Sequence, residues 1–462
     1  MPLILGANSV SGYTVKNSLR FNSGSSDYLS RTPASATNKK TYTISFWVKR
    51  TKLSTTQYIF GTSNDGFVSN YFIPYFTTAD LIDINDSATN FRFRPNQVFR
   101  DVSAWYHIVM AVDTTQATNT NRFKLYVNGS QVTSFDVATY PNQNTDTIYN
   151  SAIATYLGYG AGSNLYLNGY ISEFYSIDGQ QLTPSSFGET DTVSGIWIPK
   201  AYTGSYGTNG FYLQFKNSAS LGTDSSGNGN NFTVNNLTSV DQSTDTPTNN
   251  FCTLNPLNNL SYSGSGTLTE GNLELSYSGG LFHTNATMAV NNGKWFWETK
   301  GVSNMQQGTI GARIGFVNQD NTGYASQFFD GGCIFGMFWH PTVGIYTAVG
   351  ATQTLRSSTL TYTNGDIIGI ALDLTNNISY WYKNGTLSFT YDFSALATIG
   401  SYFICPALGN GSGSASPVYQ LNFGNPPYSA NSYTDGAGFG NFSYSVPSGF
   451  YSLNTRNLAT FG

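Results

Sequence analysis

The residues of this 462-residue chain best suited to recognition are aromatic, and they crowd into two short stretches. Asn321 to Asp330 (NTGYASQFFD) and Phe338 to Tyr346 (FWHPTVGIY) bring together Tyr324, Phe328, Phe329, Trp339, His340 and Tyr346. Exposed rings of this kind stack on the apolar faces of sugars and serve as hot spots for protein partners. The competing reading is that they are strand residues facing a core. Groups that could break bonds are harder to find. The three histidines, His107, His283 and His340, sit in no pattern that pairs a nucleophile with a base. No phosphate-cradling or dinucleotide-binding glycine motif occurs. His107 lies in an apolar run beside Trp105 and is expected to be a packed structural residue. Cys252, Cys333 and Cys405 are an odd, sparse set without metal-ligand spacing, so buried thiols are expected.

Elements must hold these residues, and composition says which kind. Charged residues make up 10% of the chain, against roughly 25% in an average globular protein. Aromatics reach 15%, with 32 Tyr and 32 Phe, which separates this chain from disordered chains of low hydrophobicity. With 48 Gly and abundant Asn, Ser and Thr, the composition fits short strands joined by tight turns. The net charge of −4 and scattered basic residues give no electrostatic footprint for nucleic acid. No apolar run reaches the length of a membrane-spanning helix, so no membrane insertion is expected. The opening MPLILGANSVSGYTVKNSLRF lacks a basic leader and does not read as a signal peptide.

Helical periodicity is nearly absent, and strands alternate with turn clusters. Tyr42 to Lys49 places Ile44, Phe46 and Val48 on one face and Thr43, Ser45 and Trp47 on the other. Ala104 to Asp113, Phe123 to Val127 and Tyr166 to Tyr175 complete a first block. Trp295 to Thr299, Thr309 to Phe316, Asp366 to Leu374 and Ile378 to Tyr382 mark a second. Each block contains a hairpin signal, Asn128-Gly129 and Asn384-Gly385. The polar run Asp224 to Pro256 reads as a connector. The expected organisation is an N-terminal docking segment over 1–17, a sandwich over 18–223, an extended linker over 224–259, a second sandwich over 260–428 and a tail over 429–462. The fold class is all-β, with two antiparallel β-sandwich domains in tandem.

The first block resembles the laminin-G/pentraxin-like branch of the concanavalin A-like fold. SLRFNSGSSDYLS (18–30), YTISFWVKRT (42–51), WYHIVMAVD (105–113), KLYVNGSQV (124–132) and LNGYISEFYSIDGQQLT (167–183) carry the likeness. The second block resembles a SPRY domain through GKWFWETK (293–300), IGARIGFVN (310–318), GDIIGIALDL (365–374) and ISYWYKNGT (378–386). Both resemblances imply jelly-roll sandwiches. In tandem, with the stretch 246–256 between them, they look like tail-fibre or head-fibre proteins of marine bacteriophages.

These resemblances carry expectations about sites. Pentraxin-like domains can hold calcium, and Asn64 and Asp65 stand where that branch places its first ligands. The second acidic cluster is missing from YGAGSN after Tyr156-Leu157-Gly158. Half a cage does not hold the ion tightly, so no cofactor is expected and Asn64 and Asp65 read as turn residues, with calcium at this pair as the alternative. Catalytic relatives carry paired carboxylates, often as E-x-D-x-x-E, and no such run occurs. Glu173 and Asp178 read as structural acids. No enzymatic activity is expected. The implied function is a virion structural and adhesion protein, made in the host cytoplasm and residing on the particle. Its implied partners are host-surface glycan or protein, other virion subunits and copies of itself, as a trimer by analogy with fibres. The alternatives are a capsid-decoration or tail-adaptor protein of purely architectural role, and a secreted bacterial carbohydrate-binding or glycan-degrading protein.

Overall fold

The computed structural model describes residues 12–87, 91–160, 165–261, 265–279, 282–306, 311–318, 333–350, 352–395, 402–410 and 416–462. They divide into two compact units, one ending at Asn250 and the other running Phe251–Gly462. Each is a sandwich of two sheets, as the alternating patterns predict. No helix among the described residues is long and apolar enough to cross a membrane.

In the first unit, one sheet runs in spatial order Ser130–Gln131, Phe123–Val127, Trp105–Asp113, Thr41–Arg50, Gly169–Asp178, Ser18–Phe21 and Gln242–Ser243. The opposing sheet runs Phe135–Thr139, Phe91–Pro95, Ile82–Asp86, Tyr71–Phe76, Phe60–Ser63, Thr155–Leu157, Tyr28–Arg31 and Thr233–Asn235. Alternation sends Ile44, Phe46, Val48, Ile108 and Met110 from the first sheet against Phe72, Phe76, Ile84, Phe91 and Phe93 of the second, all fully buried. Phe46 stacks on Phe174 at 5.3 Å, and Phe60 meets the same ring edge-on at 5.3 Å. Offset and edge-to-face pairs of this kind add to the area they bury. Asn128 and Gly129 have φ of 48° and 80°, the double left-handed turn that a two-residue hairpin requires.

The two outer faces differ. Thr41–Arg50 is buried on both faces almost throughout, because the chain returns over the first sheet. Thr43, Ser45 and Trp47, expected on the second face, lie under that cover. Thr43 Oγ1 donates to the carbonyl of Gln180 at 2.7 Å, and Ser18 Oγ donates to that of Asp245 at 2.6 Å. Lys49 is wholly enclosed and donates to Asp245 Oδ2 and Asn250 Oδ1, each at 2.7 Å. Trp105 Nε1 donates to the other oxygen of Asp245 at 3.0 Å. We call this the covered sheet and its partner the open sheet.

The chain past residue 223 therefore departs from the expected linker. Thr233–Asn235 pairs with Tyr28–Arg31 and Gln242–Ser243 with Ser18–Phe21, closing one edge of each sheet. Leu254–Ser261 is already the first strand of the second sandwich. The segment escaped the hydrophobic pattern because hydrogen bonds hold most of it. Asp241 caps its own turn through Thr238, and between Asp224 and Asn250 the buried apolar anchors are Phe232 and Leu237. The N-terminal stretch is likewise part of the sandwich from residue 12, with Val15 N–H donating to Thr248 Oγ1.

In the second unit, one sheet runs Leu254–Ser261, Phe282–Ala286, Ile404–Asn410, Ala312–Asn318, Cys333–His340, Gly344–Gly350 and Thr352–Ser357. The other runs Ser265–Thr269, Glu274–Ser278, Val418–Asn422, Lys294–Ser303, Ile367–Asp373, Ile378–Lys383 and Thr386–Asp392. Trp295, Trp297, Trp339 and Trp381 fill its core. The expected tail packs on this sandwich. Tyr451–Ser452 adds a parallel pairing to Lys294–Ser303, and Thr455–Phe461 forms a short helix capped by Asn454. Buried Glu298 holds the tail by accepting the backbone N–H groups of Ser443 and Tyr444 at 2.9 and 3.0 Å. All three cysteines are buried as thiols.

Candidate functional site

The open sheet turns a row of tyrosines away from its core. Along Tyr71–Phe76, Phe72 and Phe76 face inward, so Tyr71 and Tyr75 face outward. Tyr58 sits opposite Tyr75 in register, and Tyr156 lies between Gly61 and Ser30 on the two neighbouring strands. Tyr28 shares the face of Ser30, and all these tyrosines are half-buried. Their rings touch in sequence across the strands. Tyr75 to Tyr58 is 5.5 Å between centroids, Tyr58 to Phe67 is 5.6 Å, and Phe67 to Tyr156 is 6.3 Å. Tyr156 continues to Tyr159 at 5.6 Å, and Tyr159 stacks on Tyr166 at 4.6 Å with Tyr28 alongside at 4.8 Å.

Two glycines make the platform possible. A Cβ on Gly160 would lie 1.4 Å from Tyr58, and one on Gly61 would lie 2.6 Å from Phe67. The rings lie directly against backbone there. Phe67 is delivered by the loop that contains Asn64 and Asp65. Asp65 accepts from the hydroxyls of Ser63 and Ser69 and from the N–H groups of Val68, Ser69 and Asn70. These bonds, the Ser69 hydroxyl foremost, hold its carboxyl below the usual carboxylate range. Asn64 accepts from Asn70 Nδ2 at 2.7 Å. Both residues thus have turn partners, and what they do is orient a platform ring.

Beyond Tyr75 the face becomes charged. Asp83 is fully buried at its base and accepts from Arg92 Nη2 at 2.7 Å, Arg94 Nη1 at 3.4 Å and Tyr75 Oη at 3.3 Å. Burial and the adjacent carboxylate push the Tyr75 hydroxyl up to about 12, so it remains a donor. Asp136 takes Arg94 at 2.7 Å from the far side.

The residues expected to bind fare differently. Tyr324, Phe328 and Phe329 lie outside the described residues. Trp339 alternates with Phe335 and Met337 into the second core, is fully buried, and donates Nε1 to the carbonyl of Leu360 at 3.2 Å. His340 is buried, Nδ1 accepting from Thr342 N–H at 3.3 Å, and burial with Arg313 nearby lowers its ring to about 4. Tyr346 is half-buried and stacks on Phe338 at 5.1 Å. As binding residues Trp339 and His340 are therefore corrected: strand alternation puts one in a core, and neighbours cover the other. The sequence signal for the platform was the pairing of Tyr71 with Tyr75 at alternate positions, which clustering in sequence does not weigh.

The remaining acids and His107 are enclosed. Glu173 sits at a bulge with φ of 51° and accepts from the hydroxyls of Tyr13, Tyr175 and Tyr212 at 2.6, 2.7 and 2.6 Å. Burial raises its carboxyl above the ordinary value. Asp178 accepts from Asn38, Asn150 and Asn209. His107 lies between Trp47, stacked at 4.7 Å, and Trp197. An indole N–H only donates, so Trp197 Nε1 at 2.9 Å makes His107 Nδ1 an acceptor and places the ring proton on Nε2, facing Ser45 Oγ at 2.8 Å.

No curated protein matches the chain at a significant level. Among solved structures, the SPRY domain of human HERC1 is similar at 16% identity over 36% of this chain and 96% of that one, with a TM-score of 0.28. A heptameric SAP-like pentraxin from Limulus polyphemus is similar at 14% identity over 37% and 80%, with a TM-score of 0.28. Residues 23–186 match the laminin-G-type family model of the concanavalin A-like lectin/glucanases superfamily, so the first sandwich carries a domain of concanavalin A-like type.

Proposed function

We propose that this protein binds glycans without cleaving them, through the outer face of the open sheet. The observation that supports this reading is the contiguous row of half-exposed rings from Tyr75 to Tyr166, bordered by a hydrogen-bonding end at Asp83, Arg92 and Arg94. Stacking rings supply contact area to the C–H faces of sugars, and fixed polar groups orient the hydroxyls. The concanavalin A-like domain type over residues 23–186 is compatible with that chemistry. The setting we propose is a bacteriophage particle, where repeated copies would turn weak single sites into firm attachment. That setting rests on the resemblance of the tandem arrangement alone.

Calorimetry of the full chain against a polysaccharide panel, with Tyr156→Ala and Tyr58→Ala beside the parent, tests the binding claim. Binding that both substitutions weaken, with no release of reducing ends, is the expected result. Binding that neither substitution changes, or cleavage of a bound glycan, overturns it. Gold labelling of intact particles with antibody against this chain checks the setting.

A further inference from the structure

Resting on the glycan reading above, we infer that the open sheet takes the interior of a neutral polysaccharide, several sugars at once, laid across the strands. Three observations carry this. The rings of Tyr75, Tyr58, Phe67, Tyr156, Tyr159 and Tyr166 follow one another at 4.6 to 6.3 Å, a spacing comparable with the length of one pyranose residue. Tyr75, Tyr58 and Tyr156 stand on three strands roughly 4.8 Å from their neighbours, and Phe67, Tyr159 and Tyr166 come from adjoining loops, so the row runs across the strands. Gly61 and Gly160 let the Phe67 and Tyr58 rings sit directly against backbone, and successive rings from Tyr75 to Tyr159 tilt by 55 to 88° to one another, so the row offers edges and faces in turn to a long ligand. A chain end would need a closed pocket around a single sugar, and these rings enclose none.

The charged end sets the class. Arg92 and Arg94 are the cations there, and both are engaged by carboxylates, Asp83 at the base and half-exposed Asp136 at the rim. Two guanidiniums face two carboxylates, so the end has no charge left for a uronate, sulfate or sialate. A bound acidic sugar would have to displace a carboxylate already in contact, whereas neutral hydroxyls can use the remaining lone pairs and N–H groups.

The probes are cello-, manno-, xylo- and chito-oligosaccharides of two to eight residues, their monosaccharides, and oligogalacturonates of equal length, titrated into the full chain. For at least one neutral series, affinity is expected to climb roughly tenfold or more from dimer to hexamer and then level, with acidic hexamers weaker by a similar factor. Tyr159→Ala is expected to flatten the climb. Tyr58→Phe, which keeps the ring, is expected to retain it, and parent-like hydrogen exchange on the amides of Thr41–Arg50 checks that both variants are folded. Monosaccharide binding as tight as hexamer binding, or preference for the acidic series with the same dependence on the rings, overturns this inference and leaves glycan binding standing. Failure of every probe to bind, or binding indifferent to the ring substitutions, overturns the platform reading itself.

Discussion

The enclosed contact between Lys49 and Asp245 offers a sharp test of how the first sandwich is held. Lys49→Met keeps most of the aliphatic stem and removes the ammonium, which lies 2.7 Å from Asp245 Oδ2 and 5.7 Å from the centre of the Tyr170 ring. The Asp245 side chain has no exposure to water, so its carboxylate would keep the Trp105 N–H and lose its counter-charge. Breaking a buried pair from one side costs about 3–5 kcal/mol, a large part of the roughly 5–15 kcal/mol that stabilises a domain. Replacing both partners with apolar residues of similar volume is far cheaper, often neutral. Lys49→Met with Asp245→Leu is therefore expected to recover much of what Lys49→Met loses. Because the chain holds two sandwiches, a single melting curve does not report on one of them. Hydrogen exchange read on the amides of Thr41–Arg50 does, since that strand is central in its sheet. A drop in protection corresponding to less than about 1 kcal/mol for Lys49→Met, or a double variant as unstable as the single one, would show that the contact is peripheral.

Other outcomes follow from the same structure. Burial holds His107 at about 3, well under its ordinary value near 6.5, so the unfolded chain takes up a proton that the folded ring refuses. The stability this contributes is complete above pH 6.5 and is lost as pH falls toward 3; ring resonances that titrate near 6.5 would contradict it. Gly160→Ala is expected to evict the Tyr58 ring and lower glycan affinity about as much as Tyr58→Ala, with little change in the hydrogen-exchange protection of Thr41–Arg50. Parent-like affinity in Gly160→Ala would mean that the ring finds another seat. Glu298→Ala strips the acceptor from the Ser443 and Tyr444 N–H groups, at about 1–3 kcal/mol for each buried donor left unsatisfied. Limited proteolysis should then nick residues 429–462 much faster than in the parent. In the parent, burial raises Glu298 to about 6, so its protonation stabilises the fold below the ordinary carboxylate range, and that gain is lost as pH rises through 6.

Much of the architecture was written in period-two alternation. Ile44, Phe46 and Val48 point where that pattern sends them, and both Asn-Gly pairs turn hairpins. What stayed hidden was held by polar contacts rather than by apolar ones. Asp241, Asp245 and Asn250 read as connector residues, yet each is fixed by a hydrogen-bonding partner distant in sequence or by a local cap. The candidate site was hidden for a different reason. Tyr28, Tyr58, Tyr75 and Tyr156 come from separate strands and meet only once the sheet forms, whereas the run around Trp339 is dense in sequence and splits between two faces of one strand. Proximity along a chain says little about which side of a pleat a ring occupies.

The manner in which the first sandwich closes bears on how it can be handled in isolation. A fragment cut after residue 186, where the family likeness stops, or after 223, where the strand pattern fades, would leave Ser18–Phe21 and Tyr28–Arg31 with bare flanks. Unpaired flanks of that sort recruit other chains. Soluble fragments should begin once the cut is moved to Asn250, and the shorter ones should be recovered as aggregates.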